Sequence, residues 1–435
     1  MKRGVHMKRR NFLQSAGIAA FAAPMIVPSS VFGRTAPSNR FTLGSIGMGN
    51  MGTTNTKGFL ERDDVQVVAV CDLDRARLMD AKKLVEDTYA EKSGAGSFKG
   101  CDAIHDFRDL VGRDDIDLVT IAVPDHWHAI PAITAANAKK DIYAEKPLAR
   151  TIHEGRAICD AVKRNGVVWQ TGSWQRSRRQ FRQACELVRN GKIGELKEVL
   201  VGLPTGKTIE PQPEMPVPDG FDYDFWLGPS PRAPYTKQRC HWNFRWIMDY
   251  SGGQLTDWAG HHCDIAQWGM DTERTGPVEI RGEGVYPREG LWDAVIEYRF
   301  ECMYENGVKM TVANNQKIPM GAKFVGSEGW VYVNRQGIDA EPKSLLTSVT
   351  APDGIHLYRS NDHYANFIDC VRSRKETIAP AEVAHRSISV GHLGDIAMQL
   401  RRTLKWDPAG ERFVNDPEAD RYLFRSFRSP WRLPV

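Results

Sequence analysis

From position 41 the chain alternates compact apolar runs with longer amphipathic stretches. Residues 41–46, 65–71, 117–123, 141–145 and 167–171 are the apolar runs. Stretches of helical spacing follow the first four, ending near Leu60 and then spanning about 74–91, 127–139 and 151–165. Short buried strands alternating with helices predict a parallel sheet covered on both faces, a doubly wound Rossmann-type α/β domain over about 40–172. Past Glu195 the rhythm changes. Runs at 196–203, 278–285, 293–300, 309–314 and 329–333 are β-like and cluster without intervening helices. They predict a mostly antiparallel sheet in a separate α+β domain over 173–405. Late helical stretches at 359–373 and 381–404 are candidates to pack back on the first domain, and 406–435 form a C-terminal tail. The Pro-rich stretch 204–234 holds Tyr223, Phe225 and Trp226, so it reads as an ordered loop rather than a linker.

A chain of 435 residues is too long for one ordinary core. Hydrophobic residues at 41% and charged residues at 26% exclude wholesale disorder and coiled coil. No apolar run reaches the roughly 18 residues of a membrane-spanning helix. The net charge of +4 is concentrated at the start: Lys2, Arg3, Lys8, Arg9 and Arg10 are not balanced by any acid before Arg34, and without them the charge is −1. The remainder therefore has no electrostatic case for nucleic acid or an anionic membrane. Arg9-Arg10 followed by Phe12-Leu13, a mildly apolar stretch and small residues near Gly33 resembles a twin-arginine export signal over 1–33. This predicts a periplasmic or secreted protein. Eight cysteines with no C-x-x-C pair predict neither a disulfide framework nor a zinc ribbon, which suits a chain that folds in a reducing cytosol before export.

Gly47-Met48-Gly49-Asn50-Met51-Gly52 lies directly after a strand and opens a helix. In such a G-x-G-x-x-G the first glycine permits the turn, the second admits a pyrophosphate and the third lets helix and strand pack closely. Asp72 ends the next strand, twenty residues past Gly52. A carboxylate there would accept bonds from ribose hydroxyls and repel a 2′-phosphate, so NAD is predicted. Arg75 and Arg77 lie close enough to keep NADP as the alternative.

Ligands of an open parallel sheet lie beyond the C-terminal ends of its strands. Pro124-Asp125-His126-Trp127-His128 and Glu145-Lys146-Pro147 follow two of those ends. Lys146 there can donate to a substrate oxygen and favour its developing negative charge. Pro147 biases it away from helix. In Asp257-Trp258-Ala259-Gly260-His261-His262-Cys263-Asp264 a helix would set Asp257, His261 and Asp264 on one face. A carboxylate one turn from an imidazole can orient it for proton transfer. The same trio could hold a divalent metal, or be a helix end with a satisfied core histidine.

These elements together resemble the glucose–fructose oxidoreductase/inositol dehydrogenase family, Gfo/Idh/MocA, over about residues 40–400. The resemblance implies an N-terminal Rossmann domain and a C-terminal domain whose large open sheet forms a homo-oligomer interface. It implies Lys146, Asp257 and His261 as catalytic residues, with His261 removing a hydroxyl proton, Lys146 bonding the same oxygen and Asp257 holding the imidazole. Gly47, Gly49, Asn50, Met51, Gly52, Asp72, Pro124, His128, Glu145 and Lys146 would hold NAD, and no metal is needed. His126, His128, Trp174, Gln175, Arg176, Trp242, Arg245 and His262 are candidates to frame a sugar, glycoside or cyclitol. The implied activity is hydride transfer between such a hydroxyl and a tightly held nicotinamide. The alternative is a redox-neutral NAD-dependent glycosidase, and a noncatalytic sensor on the same fold is a third reading.

Overall fold

The computed structural model describes residues 39–94 and 96–435; the export signal expected over 1–33 lies outside the described residues. Residues 41–435 form one compact unit built around two sheets. Strands β1 (Phe41–Ile46), β2 (Val65–Cys71), β3 (Asp102–Ile104), β4 (Leu118–Ile121), β5 (Asp141–Ala144) and β6 (Trp169–Thr171) make the first, in the order β3-β2-β1-β4-β5-β6. All its pairings are parallel. β4 and β5 are buried throughout and β1 from Leu43 onward, as a sheet covered on both faces requires. The edge strand β3 was not legible in the sequence, because its three residues are mostly exposed and carry no hydrophobic signal.

Register decides where the chemistry gathers. Ile46 pairs with both Cys71 and Ile121, and Ile121 pairs with Ala144. Gly47, Asp72, Ala122 and Glu145 therefore leave the sheet at one edge. The chain order reverses between β1 and β4, which opens the crevice expected at such a switch point.

The second sheet has nine strands. They are β7 (Leu196–Leu203), β8 (Glu279–Val285), β9 (Glu297–Met303), β10 (Lys309–Asn314), β11 (Gly321–Gly326), β12 (Trp330–Val333), β13 (Ile338–Glu341), β14 (Leu404–Asp407) and β15 (Arg412–Phe413). Only the β7–β10 pairing is parallel; the others are antiparallel. β9 begins four residues later than its apolar run predicts, and β11, β13, β14 and β15 went unpredicted because they are short and partly polar. The helices Gly253–Met270 and Ala381–Leu400 pack together under this sheet, and Ala381–Leu400 also touches the Ile152–Asn165 helix of the first domain. The stretch after 405 returns to the first domain: Arg425 Nη2 bonds Glu154 at 2.6 Å, and Trp431 meets Trp127 edge-on with ring centres 4.7 Å apart.

Candidate active site

The sheet edge opens into a cleft of about 1300 Å³, mouth included. Gly47 has φ +84°, where only glycine is at ease, and a Cβ on Gly52 would stand 1.7 Å from the Gly47 carbonyl oxygen. Gly49 differs: an added Cβ meets nothing nearer than Arg77 Nη1 at 3.4 Å. The helix Asn50–Leu60 starts without a side-chain cap, leaving its first N–H groups for a ligand's negative charge. Asp72 lines the cleft and anchors the loop, its Oδ2 accepting from Met48 N at 2.6 Å and its Oδ1 from Asp74 N at 2.9 Å. Burial pushes its carboxyl upward against the pull of those two N–H groups and of Arg77. Arg77 lines the cleft; Arg75 does not. This cradle fits a dinucleotide. Gly49→Ala should leave the melting temperature of nucleotide-free protein unchanged, since the fold has room for the methyl. Calorimetry should show NAD binding at least about tenfold weaker, because the methyl stands where a phosphate approaches; unchanged binding would remove the loop from the site.

Lys146 projects from the end of β5 into the cleft. Its Nζ donates to Asp257 Oδ1 at 2.6 Å and to the Asp257 carbonyl oxygen at 3.1 Å, and the pair is mostly buried. Arg245 Nε lies 3.8 Å from Asp257 Oδ2. Burial alone would raise the Asp257 carboxyl, but the Lys146 and Arg245 charges outweigh it and hold the group below the usual carboxylate range. Glu145, beside Lys146, accepts from Asn55 Nδ2 at 3.0 Å, and burial pushes its carboxyl upward. Asn55 went unnoticed in the sequence, although it sits one turn inside the helix that the glycine loop opens. Pro124 also lines the cleft, as does Asp125, which takes a hydrogen bond from Ser251 Oγ.

His261 is on the same helix as Asp257 but does not bond it. The carboxylate turns to the two cations, which attract it more strongly than a neutral ring, so the predicted Asp257–imidazole pair is absent. His261 lies outside the cleft lining, buried between Trp174 and Trp258 with ring centres 6.4 and 5.4 Å away. Neither nitrogen has a partner among the described residues. Burial, then the charges of Lys146 and Arg335, keep the ring neutral far below the ordinary histidine range. Asp264, the third member of the expected face, is drawn away by Arg176, and among the described residues no three His, Cys, Asp or Glu side chains could hold a metal ion.

Several predicted sugar ligands are framework instead. Arg176 is buried in ion pairs with Asp264 and Glu273. His126 is fully buried with Nε2 3.0 Å from the Trp226 carbonyl oxygen. His128 lines the cleft, but both its nitrogens face carbonyl oxygens, of Pro147 at 2.6 Å and Val123 at 2.8 Å. Gln175 donates to the His261 carbonyl oxygen at 3.2 Å and accepts from Arg335 Nε at 3.0 Å. Trp242 and Arg245 do line the cleft, with the guanidinium 3.9 Å from the exposed indole's centre. Arg335 and Trp258 were missed. No local signal marks Arg335, which the turn between β12 and β13 delivers.

His262 is buried against Trp258, its nitrogens without partners. Burial lowers His126, His262 and His392 to about 3 and His363 to about 4, against 6.5 ordinarily. Between those values the unfolded chain binds more protons than the native one, so each ring costs stability as pH falls below 6.5, by about 1.4 kcal/mol per pH unit. In urea unfolding, His262→Phe should flatten the loss between pH 6 and 5 by about that slope; an unaltered slope would contradict a neutral buried ring.

Two family models match the chain: "Oxidoreductase family, NAD-binding Rossmann fold" over residues 41–173, and "Oxidoreductase family, C-terminal alpha/beta domain" over 203–433. Among curated proteins it is similar to the glycosyl hydrolase family 109 protein of Shewanella pealeana, 30% identical over 209 residues, 44% of either chain. That of Shewanella woodyi is 32% identical over 171 residues, 38% of this chain and 35% of the relative. The chain thus spans less than half the length of these relatives. Its fold is similar to that of the WlbA dehydrogenase from Bordetella pertussis in complex with NADH and UDP-GlcNAcA, with TM-score 0.61, 16% identity and coverage of 85% of this chain and 99% of that one. It is similar also to myo-inositol 2-dehydrogenase from Lactobacillus plantarum, with TM-score 0.56, 17% identity and coverage of 84% and 99%.

Proposed function

Because the chain belongs to the Gfo/Idh/MocA oxidoreductase family and carries its NAD-binding Rossmann domain, we propose that it is an NAD-dependent oxidoreductase acting on a hydroxyl of a sugar, glycoside or cyclitol. The observation that carries this reading is the Lys146 ammonium, fixed at the sheet edge by Asp257 within the glycine-loop cleft. NAD, when bound, supplies the hydride acceptor. Lys146 spends two of its three hydrogens on Asp257 and has one left to donate to a substrate oxygen. That donation favours the alkoxide-like charge that develops as the carbinol C–H bond breaks. His261, neutral and unengaged, takes the hydroxyl proton once a substrate reaches the side where Trp174, Trp258 and Arg335 surround it.

The test is product analysis. Protein loaded with NAD is incubated with a panel of glycosides, and nicotinamide absorbance is followed beside chromatography. Reduced nicotinamide together with a ketosugar is the expected result. The second reading, redox-neutral cleavage, is favoured by the glycosyl hydrolase family 109 relatives. In that reading a carbinol would be oxidised, the neighbouring C–H proton would become acidic, the aglycone would leave by elimination with a proton, water would add in its place and the hydride would be returned. Released aglycone without net reduced nicotinamide would replace the first reading by the second.

The reading includes export and assembly. All eight cysteines are buried and unpaired, which supports folding in a reducing compartment before transport to the periplasm. Among the described residues no helix is long and apolar enough to cross a membrane. A homo-oligomer would use the face of the nine-stranded sheet opposite its two helices.

A further inference from the structure

Trp174, just past β6, and Trp258, on the Gly253–Met270 helix, both set their rings against His261. The Arg335 guanidinium lies against both indoles, 4.5 and 4.4 Å from their centres. Its Nε is taken by Gln175 at 3.0 Å, while its two Nη groups meet no acceptor among the described residues. The exposed Arg178 lies over the Trp174 ring at 4.3 Å. Lys146 and Arg335 both act on His261, Arg178 stands beside Arg335, and Arg245 stands beside Asp257. The carboxylate facing them, Asp257, already engages Lys146 at 2.6 Å and Arg245 at 3.8 Å. The nearby Asp125 is buried and bonded to Ser251, and Glu145, buried beside Lys146, is bonded to Asn55.

Neither Arg178 nor Arg335 meets a carboxylate at bonding distance among the described residues, and a neutral polyol cannot offset two adjacent guanidinium charges. A guanidinium held against aromatic rings with its Nη edge free instead matches a planar, two-oxygen anion, which it can bind through two parallel hydrogen bonds. We propose that the sugar taken by this site carries a carboxylate, bound by the Nη edge of Arg335 with Arg178 beside it: the substrate class is a uronic acid or its glycoside. The inference rests on the sugar-site reading above and narrows it.

Calorimetry on NAD-loaded protein tests it with matched pairs of methyl hexopyranosides and methyl hexopyranosiduronates in the gluco, galacto and manno configurations, with monosulfated hexosides as a third arm. At least one uronate should bind about tenfold or more tighter than its neutral partner, as one charge-assisted pair warrants. Arg335→Met should erase that preference and Arg335→Lys restore part of it. Where the uronate turns over, Arg335→Met should raise KM by more than it alters kcat. Arg178→Gln, on an exposed side chain, should weaken the uronate alone and decides the matter if Arg335→Met does not fold. Equal binding within every pair, a preference that survives Arg335→Met, or sulfated hexosides binding as tightly as uronates would overturn the assignment. Uronate binding that depends on Arg335 without hydride transfer or bond cleavage would leave this inference standing and sink the oxidoreductase reading. Turnover of neutral sugars with no uronate preference would do the reverse.

Discussion

Lys146→Met should lower kcat by roughly 10²–10³-fold while the purified protein still carries NAD, the loss expected when a single donor to a developing oxyanion is removed. The thioether approximates the length of the lysine stem, so the cleft keeps its shape and the glycine loop is untouched. What disappears is the hydrogen left over after Asp257 takes its two. Asp257 keeps the Arg245 charge 3.8 Å away, so the cost to folding should stay below the about 3–5 kcal/mol of a buried charge left without a counter-ion. The loss should fall on kcat more than on KM, since an interaction strengthened in the transition state is the one removed. Extraction of nucleotide from wild type and variant, beside steady-state rates, checks both halves. A rate like the wild type's with nucleotide in place takes Lys146 out of the chemistry.

What was legible in the sequence follows from how local each signal is. The glycine loop, Asp72 and the Glu145-Lys146-Pro147 turn each sit at the end of an apolar run, so the strand pattern locates them and the parallel register then forces them to one edge. Helical spacing correctly put Asp257 and His261 on one helix. It could not say which way the carboxylate turns, because its partner Lys146 lies 111 positions away. Arg335 is the same problem in stronger form: a turn residue between two short strands has no pattern of its own, and only the folded hairpin brings it against Trp174 and Trp258. Conversely, polar residues flanking a motif look like ligands in a sequence even when they are buried framework, as His126 and Arg176 are.

Arg176 therefore predicts a stability effect in place of a binding one. Its Nε and Nη2 bond the two oxygens of Asp264 at 2.7 and 2.8 Å, its Nη1 bonds Glu273 at 2.8 Å, and its guanidinium lies 4.8 Å from the centre of Trp268. Arg176 and Asp264 are both almost fully buried. Burial alone would lower the guanidinium's affinity for its proton, but Asp264 and Glu273 outweigh it and raise that affinity. Arg176→Met leaves Asp264 with only Ser387 Oγ, at 2.8 Å, and an uncompensated buried charge of that kind costs about 3–5 kcal/mol. Urea unfolding should show that loss with little change in sugar affinity or NAD content. The double variant Arg176→Met/Asp264→Leu should recover most of it, because replacing a whole buried ion pair by apolar side chains is far less costly than breaking it. If the single variant instead unfolds like the wild type and binds sugar more weakly, Arg176 reaches the substrate after all, and the helix Gly253–Met270 is anchored by something other than this pair.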